Sequence, residues 1–272
     1  MIAAIIILIV LTVLAVLFIL SMAVRTGRED LKALRGYHYA HRGLFGEGAP
    51  ENSMAAFRRS LAGGYGIELD VHLMKDGNLA VIHDSSLLRT AGVDVKIEDL
   101  TAEDLPNYPL EGTTETIPLY SQVLELYAGK APIILELKPA GGNVAALTEA
   151  ACKMMDGYRG PYCLESFDPR CIRWLKKNRP DILRGQLSEN YFHSKKAKLP
   201  VILKLVLSNH LMNFLTQPDF IACRYSDRNL WTTKLCRWLW SPEAVTWTVK
   251  TQEELDTAVQ EGWICIFEGF TP

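Results

Sequence analysis

The sequence predicts an α/β protein with one (β/α)8 barrel of the TIM type, irregular near its second and third strands, preceded by one N-terminal transmembrane helix. Short β-branched runs alternate with helical stretches, which is the pattern of parallel βα units rather than of an all-β sandwich. After the apolar leader about 235 residues remain, a length that one such barrel routinely fills. The leader itself predicts the transmembrane helix, because it lacks charged residues.

The leader, residues 2–24, is long enough to cross a bilayer. At about 1.5 Å per residue, such a helix exceeds the roughly 30 Å hydrocarbon core. A cleaved signal peptide usually begins with a basic segment, whereas here the basic residues, among them Arg25 and Lys32, follow the apolar run. We therefore expect a retained single-pass anchor (1–24) and a basic juxtamembrane linker (25–36), with a cleaved signal as the alternative. The positive-inside rule places the following domain (37–272) in the cytoplasm.

Nine segments have strand character, one more than an eight-stranded barrel needs. They are residues 37–41, 66–73, 79–83, 132–137, 162–166, 182–187, 220–225, 244–249 and 263–267. The connection between the second and third segments is too short for a parallel crossover, so these two should form a hairpin with a two-residue Asp76-Gly77 turn. In that register His83 lies directly across from Asp70, with Cβ atoms about 5 Å apart.

Charge and cysteine content narrow the range of functions. The formal net charge is −2, whereas a nucleic-acid-binding domain would carry a strongly basic face or arm. The six cysteines are scattered, without the paired spacing of a zinc site or of a secreted disulfide framework. We therefore expect reduced, mostly buried thiols, with three disulfides in an exported domain as the alternative. These features favour a small-molecule or lipid-like partner and no nucleic acid.

Chemically active residue types are concentrated in one short stretch, residues 41–84. Its clusters are His41-Arg42-Gly43, Pro50-Glu51-Asn52, Glu68-Leu69-Asp70 and His83-Asp84. Carboxylates bind hard divalent cations, a guanidinium matches a phosphate, and imidazoles exchange protons near neutral pH. Phosphodiester hydrolysis needs these three kinds of group together.

These clusters, followed by Glu136-Leu137-Lys138, resemble in their order the motifs of the glycerophosphodiester phosphodiesterase family. Five motifs in order are far more specific than any one alone. The resemblance covers residues 37–272 and implies metal-dependent hydrolysis of glycerophosphodiesters to sn-glycerol 3-phosphate and an alcohol. One alternative is lysophospholipase D-type cleavage of lysophospholipids; another is a non-catalytic, membrane-tethered barrel that binds phosphodiesters. The expected partners are one of these small molecules and, through the N-terminal helix, the lipid bilayer.

Charge accounting at a phosphodiester suggests a role for each acidic and basic residue. Glu68 and Asp70 share one strand face by the period-two rule, so both can reach one cation together with Glu136 at the end of a later strand. We expect these three to hold one divalent ion, Mg²⁺ or Ca²⁺. Arg42 and Lys138 would add positive charge at the phosphate. The family resemblance assigns the same positions.

His41 and His83 would divide the general base and general acid roles, in an order that the sequence leaves open. We expect Glu51 to contact the metal shell or a glycerol hydroxyl, with a structural place at the start of the next helix as the alternative. The resemblance adds Trp247 as an aromatic residue that lines the glycerol pocket, with a core strand tryptophan as the alternative. An insertion at about residues 89–118 is expected to help cap the pocket, with an ordinary solvated loop as the alternative.

Two positions have no settled role in the sequence. Asn52 has two interpretations, a functional contact or the N-cap of a helix that begins at Met54. The C-terminus lacks the Thr-Asp pair common in the family, and Glu268 stands in that region instead. A carboxylate one methylene longer would not hold the same position, so the role of Glu268 stays open.

Overall fold

The computed structural model describes residues 1–194 and 198–272. The strands are β1 (Tyr39–His41), β2 (Gly66–Leu73), β3 (Leu79–Val81), β4 (Ile133–Leu137), β5 (Tyr162–Ser166), β6 (Arg184–Ser188), β7 (Phe220–Arg224), β8 (Glu243–Val249) and β9 (Ile264–Phe267). The helices are α1 (Ile2–Ser21), α2 (Met54–Ala62), α3 (Leu88–Ala91), α4 (Tyr120–Tyr127), α5 (Val144–Met155), α6 (Pro169–Asn178), α7 (Val201–Ser208), α8 (Asn213–Thr216), α9 (Trp231–Trp240) and α10 (Gln252–Gln260). Short 3-10 helices occupy Glu29–Leu34, Ile97–Asp99, Leu105–Asn107 and Tyr225–Asp227.

The parallel strands close into a barrel. Within the described residues the sheet runs β1-β9-β8-β7-β6-β5-β4-β2, and β2 pairs again with β1, which leaves eight parallel strands in a ring. β3 lies outside the ring and pairs antiparallel with β2. The prediction of a TIM-type barrel, irregular near its second and third strands, is confirmed.

The hairpin between β2 and β3 is present, but its predicted two-residue turn is wrong. The backbone N–H of Met74 donates to the carbonyl of Asn78 at 2.9 Å, which leaves three residues in the loop. The last of them, Gly77, has a φ of 87°. A three-residue loop that ends in a left-handed residue is a common hairpin connection, and glycine takes that conformation without a Cβ clash.

The extra loop residue shifts the pairing by one position. The backbone N–H of Ile82 donates to the carbonyl of Asp70 at 3.1 Å, so Ile82 rather than His83 lies across from Asp70. His83 follows the end of β3 and reaches the site from beyond the ladder. The prediction of a direct Asp70–His83 pair is therefore wrong, because it depended on the turn length.

Alternation along the strands divides apolar from functional side chains. Along β2, Ile67, Leu69 and Val71 pack into the apolar layer between the barrel and its helices. The side chains of the intervening residues, Glu68 and Asp70, point to the opposite face of the strand, into the barrel interior. The packing layer and the site are thus two faces of the same strand.

The N-terminal segment is joined directly to the barrel. α1 has 20 residues and a mean hydropathy of 3.5 in its most apolar window, so it is long and apolar enough to span a membrane. Its last turn packs on the barrel, where Phe18 stacks on Trp231 with ring centroids 5.7 Å apart. Met22 is fully buried, and Arg25 forms an ion pair with Asp219 at the base of the barrel. The following 3-10 helix buries two leucines against the base.

Candidate active site

Three buried carboxylates meet inside the barrel near the carboxyl ends of its strands, the end that we call the mouth. Strand pairing places Asp70 of β2 beside Glu136 of β4. One oxygen from each of Glu68, Asp70 and Glu136 lies within 4.8 Å of the other two. Burial, and then the neighbouring carboxylates, raise the pKa of Glu68 well above its usual value. Burial likewise raises the pKa of Glu136, to about 7. Positive charge is required to keep this cluster ionised.

Part of that charge comes from the chain itself. Lys138 Nζ lies 2.6 Å from Glu136 Oε1 and 3.1 Å from Asp70 Oδ1. Arg42 Nε lies 3.4 Å from Asp70 Oδ2. Although burial acts in the opposite direction, the nearby positive charge of Lys138 holds the pKa of Asp70 well below its usual value. Asp70 Oδ1 is buried and accepts no hydrogen bond of good geometry. A set of carboxylate oxygens, one of which accepts no hydrogen bond, fits a hard divalent cation.

Asn52 belongs to this cluster and does not cap a helix. The N-cap of α2 is Ser53, whose Oγ accepts from the backbone N–H of Ala56 at 3.1 Å, so the N-cap interpretation of Asn52 is wrong. Asn52 is buried, has a φ of 55° and donates from Nδ2 to Asp70 Oδ2 at 2.9 Å. Asparagine tolerates this left-handed backbone better than most residues. It orients the Asp70 carboxylate.

His41 ends β1 and has a carboxylate on each side. Its Nε2 lies 3.9 Å from Glu68 Oε2, and its Nδ1 lies 2.5 Å from Glu268 Oε2. Glu268 follows β9, which pairs with β1 in the closed barrel. Burial lowers the pKa of His41, while the hydrogen bond to His41 lowers the pKa of Glu268 to about 2. If Nδ1 donates its proton to Glu268, Nε2 remains available for proton transfer.

His83 has a similar support made from different elements. Its Nδ1 lies 2.7 Å from Asp84 Oδ1, and Asp84 in turn accepts from Arg89 Nε. Burial lowers the pKa of His83 to about 4. His72 is not in the carboxylate cluster: its Nε2 lies 3.1 Å from the His83 carbonyl and its Nδ1 lies 2.6 Å from Glu98 Oε1. His72 therefore holds the backbone carbonyl of His83, and Glu98 in turn holds the His72 ring.

Glu51 is held by two arginines and does not line the cavity at the barrel mouth that is described below. Arg42 Nη1 donates to Glu51 Oε1 at 2.9 Å, and Arg89 donates to both carboxylate oxygens at 2.7 and 2.9 Å. These guanidinium groups outweigh the effect of burial and lower the pKa of Glu51. Arg42 lines the cavity but Glu51 does not. The observed contact of Glu51 is therefore with Arg42, which it orients.

The cavity at the mouth, about 520 Å³, is lined by charged and by apolar side chains. The charged or polar ones include His41, Arg42, Glu68, His83, Glu136 and Lys138, and the apolar ones are Phe167, Leu187, Trp247 and Ile266. The ring of Trp247 meets that of Phe167 edge to face at 5.4 Å, and the Arg224 guanidinium lies 5.3 Å from the centroid of the Trp247 ring. A molecule with a phosphate and an apolar portion matches this lining.

Three further charged residues line the cavity and were missed by sequence reasoning: Glu165, Glu189 and Arg224. Glu165 pairs in register with Glu136, and burial raises its pKa well above the usual value. Glu189 and Arg224 form an ion pair across neighbouring strand ends. The rule that barrel sites lie at carboxyl ends of strands would have found all three. Arg89 had no such signal, because it lies in the short helix α3 and not at a strand end.

The closed α/β barrel holds two histidines, each paired with a carboxylate, beside a buried acidic cluster able to hold a metal ion, and this arrangement is typical of a barrel enzyme that transfers protons. Residues 41–217 match the model of the glycerophosphoryl diester phosphodiesterase family, which is more than half of the chain. The chain belongs to this family.

Individual proteins similar to this chain support its membership of the family. A glycerophosphodiester phosphodiesterase from Bacillus altitudinis is 42% identical over 175 residues, which cover 60% of this chain and 71% of the relative. A lysophospholipase D from Rattus norvegicus is 38% identical over 114 residues, 37% of this chain and 36% of that protein. Among solved structures, an Oleispira antarctica phosphodiesterase in complex with the product sn-glycerol-3-phosphate has a TM-score of 0.69 at 21% identity, covering 85% of this chain and 92% of that chain. This last likeness shows a shared fold.

Proposed function

We propose that the protein hydrolyses glycerophosphodiesters to sn-glycerol 3-phosphate and an alcohol, with one divalent cation, Mg²⁺ or Ca²⁺. The observation that carries this proposal is the convergence of His41 and His83 with the carboxylate cluster in one cavity. The name of the Bacillus altitudinis relative and the product bound in the Oleispira antarctica structure support the choice of substrate class.

Glu68, Asp70 and Glu136 would hold the cation. When bound, the cation would supply Lewis-acid polarisation of a phosphoryl oxygen. Arg42 and Lys138 supply fixed positive charge at the cavity wall, where a phosphodiester gains negative charge in the transition state. Both side chains are held in place by carboxylates, so little reorganisation is needed when the substrate binds.

His41 and His83 form the acid–base pair in this proposal. A carboxylate near each Nδ1 leaves Nε2 as the atom that exchanges protons with the substrate. Burial lowers the pKa of both imidazoles, which favours the neutral form that can accept a proton. One histidine removes a proton from the attacking oxygen. The other takes a proton from solvent before the step and gives it to the departing alkoxide, and the first histidine returns its proton to solvent at the end of the turnover.

The proposal is tested by measuring release of sn-glycerol 3-phosphate from glycerophosphocholine by the full chain, with Mg²⁺, with Ca²⁺ and with EDTA. We expect EDTA to abolish turnover and His41→Asn to lower kcat by at least about 10²-fold. His38→Asn is the matched control, because His38 lies at the opposite end of the barrel, outside the catalytic cavity. Turnover that survives both EDTA and His41→Asn would contradict the mechanism.

A second candidate function is lysophospholipase D-type cleavage of lysophospholipids. The apolar part of the cavity lining favours it, because Phe167, Leu187 and Trp247 offer contact area to an acyl or glyceryl portion. The name of the rat relative points the same way. Release of choline from lysophosphatidylcholine distinguishes this activity. A non-catalytic binding barrel would turn over neither substrate.

We also propose that α1 is retained as a single-pass anchor with the barrel in the cytoplasm. The buried Met22 supports retention, since its carbonyl accepts from Asn213 Nδ2 at 3.4 Å and its side chain fills the barrel wall. Removal of this segment would leave a cavity there. Intact mass of the membrane-extracted protein decides retention, and protease protection in sealed vesicles decides the side.

A further inference from the structure

α7 (Val201–Ser208) exposes apolar side chains in several directions. Val201, Ile202, Leu203 and Leu205 are exposed by 69, 76, 43 and 48%. Consecutive helical residues differ in direction by about 100°, so these four cannot all rest on one barrel face. A helix with such extensive apolar exposure requires another apolar environment.

α7 lies at the mouth end of the barrel. Ser208, its last residue, accepts at Oγ from the backbone N–H of Tyr191 at 3.0 Å, and Tyr191 follows the carboxyl end of β6. The same loop carries Phe192, exposed by 51%, and then His193, which lines the catalytic cavity. The apolar helix and the cavity entrance therefore belong to one end of the molecule.

α1 extends beyond the same end. Phe18 stacks on Trp231, the first residue of α9, and the carbonyl of Met22 accepts from Cys236 Sγ in the middle of α9. α9 begins at the mouth, because it follows the carboxyl end of β7. α1 and α9 thus run in the same direction, and the chain reaches the base at Arg25. Residues 2–17 must project past the mouth.

The length of this projection brings the mouth close to the bilayer. Sixteen residues in a helix, 2–17, extend about 24 Å, less than the roughly 30 Å hydrocarbon core. The remaining apolar residues, such as Phe18 and Leu20, run beside the Trp231 end of α9. α1 therefore crosses the whole hydrocarbon core only if this end of the barrel lies at the lipid interface, where tryptophan is favoured.

We propose that the mouth of the barrel docks on the bilayer through α7, Phe192 and Trp231, so that the catalytic cavity opens toward lipid headgroups. The partner is a lipid surface because α7 and Trp231 lie at the end of the barrel from which the candidate span projects, and because the α7 segment carries basic residues, the exposed Lys198 and the half-buried Lys204. Lys195 and Lys196, also basic in sequence, lie outside the described residues.

This inference rests on the proposed phosphodiesterase function where it concerns substrate. A mouth in contact with lipid favours phosphodiesters that carry an acyl chain and stay in the membrane, of the lysophospholipid class. The base of the barrel provides a comparison, because its exposed apolar residues Trp238 and Val259 line one cavity together with Arg237 and the half-buried Glu243. A few apolar side chains among charged ones are ordinary on soluble surfaces.

Docking is tested by site-directed fluorescence on the full chain in phosphatidylcholine–phosphatidylserine vesicles. All six cysteines are buried and free, as the sequence predicted, so an introduced cysteine is the accessible labelling site. Ile202→Cys places an environment-sensitive label on α7, and Val259→Cys is its control at the base. We expect nitroxide-bearing lipid to quench the label at 202, and aqueous iodide to quench the label at 259. Equal quenching by iodide at both sites, or lipid quenching at 259 alone, would overturn the proposal.

Substrate preference is tested with a matched pair of charged variants. We expect Ile202→Asp to lower turnover of vesicle-borne lysophosphatidylcholine by about 10-fold or more and to leave soluble glycerophosphocholine within about 2-fold. Val259→Asp should change neither rate. Equal rates for Ile202→Asp and wild type on vesicles would contradict the substrate part. If wild type turns over neither substrate, the phosphodiesterase function fails, while the label positions still decide docking.

Discussion

The mouth and the base of this barrel both bury charge, but they balance it differently. At the base, Asp219 has a cationic partner and a neutral donor: the Arg25 guanidinium donates to it at 2.6 Å, and the backbone N–H of Arg184 donates at 2.9 Å. At the mouth, the carboxylates of Glu68, Asp70, Glu136 and Glu165 outnumber the two nearby cations, Lys138 and Arg42. Matched buried charges hold the fold together, whereas an uncompensated cluster costs stability and creates a binding site.

The largest expected effect comes from breaking the cluster at the mouth with Glu68→Gln. Loss of one ligand charge should lower kcat/KM by about 10³-fold, equivalent to about 4 kcal/mol of transition-state stabilisation. The free energy of unfolding without added metal should stay the same or rise, because burial and the neighbouring carboxylates disfavour the charge of Glu68 in the folded protein. Steady-state kinetics and denaturant unfolding of the same preparation measure both. A variant that keeps wild-type kcat/KM and is less stable than wild type would contradict the interpretation that this cluster serves function at a cost in stability.

Asp219→Asn makes the reciprocal test at the base. Removing this carboxylate leaves Arg25 and the buried Arg184 without their counter-ion, so we expect a loss of about 3 kcal/mol in the free energy of unfolding. Activity per folded molecule should be unchanged. Denaturant unfolding, with active-site titration of the folded fraction, checks the prediction. A variant with wild-type stability and reduced kcat would show that the base is not merely structural.

Glu268→Gln tests one contact within the mouth, the hydrogen bond between Glu268 and His41. The amide can no longer hold His41 with a charged acceptor, so we expect kcat to fall by about 10²-fold with little change in KM. Because the Glu268 carboxylate raises the pKa of His41 against burial, its loss should move the limb of the pH–rate profile that reports His41 to lower pH. A merely structural role would not move that limb.

The control for this variant is Glu261→Gln, which removes a surface partner of Arg228 far from the site. It should leave both kcat and the pH profile unchanged. If Glu268→Gln and Glu261→Gln behave alike, the Glu268–His41 contact is not functional.

The smallest expected effect is a pH dependence of stability from His210 in the barrel wall. Burial lowers its pKa to about 4. The unfolded chain binds this proton below about pH 6.5 and the folded protein only below about pH 4, so the stability contribution falls as pH drops through that window. Between pH 6.5 and 5.5 the loss is about 1 kcal/mol. Denaturant midpoints at both pH values measure it, and a His210→Gln variant that shows the same slope would contradict it.

Much of the site was predictable because it depends on local order along the chain. Alternation along β2 places Glu68 and Asp70 on one face whatever surrounds the strand, and the parallel-barrel pattern puts Glu136 near them at the mouth. The hydrophobic length of α1 is also a property of the sequence. These features follow from strand and helix periodicity, which short-range geometry controls.

Tertiary structure decided the contacts that depend on register and closure. The three-residue loop that ends at Gly77 displaced His83 from the predicted pair, since one residue changes every partner in a ladder. Ring closure brought Glu268 to His41, although they are 227 positions apart. The direction of α1 likewise depends on packing against α9. The sequence by itself determined which chemical groups the site contains; only the closed barrel decided which of them touch, because those contacts join residues that local periodicity does not relate.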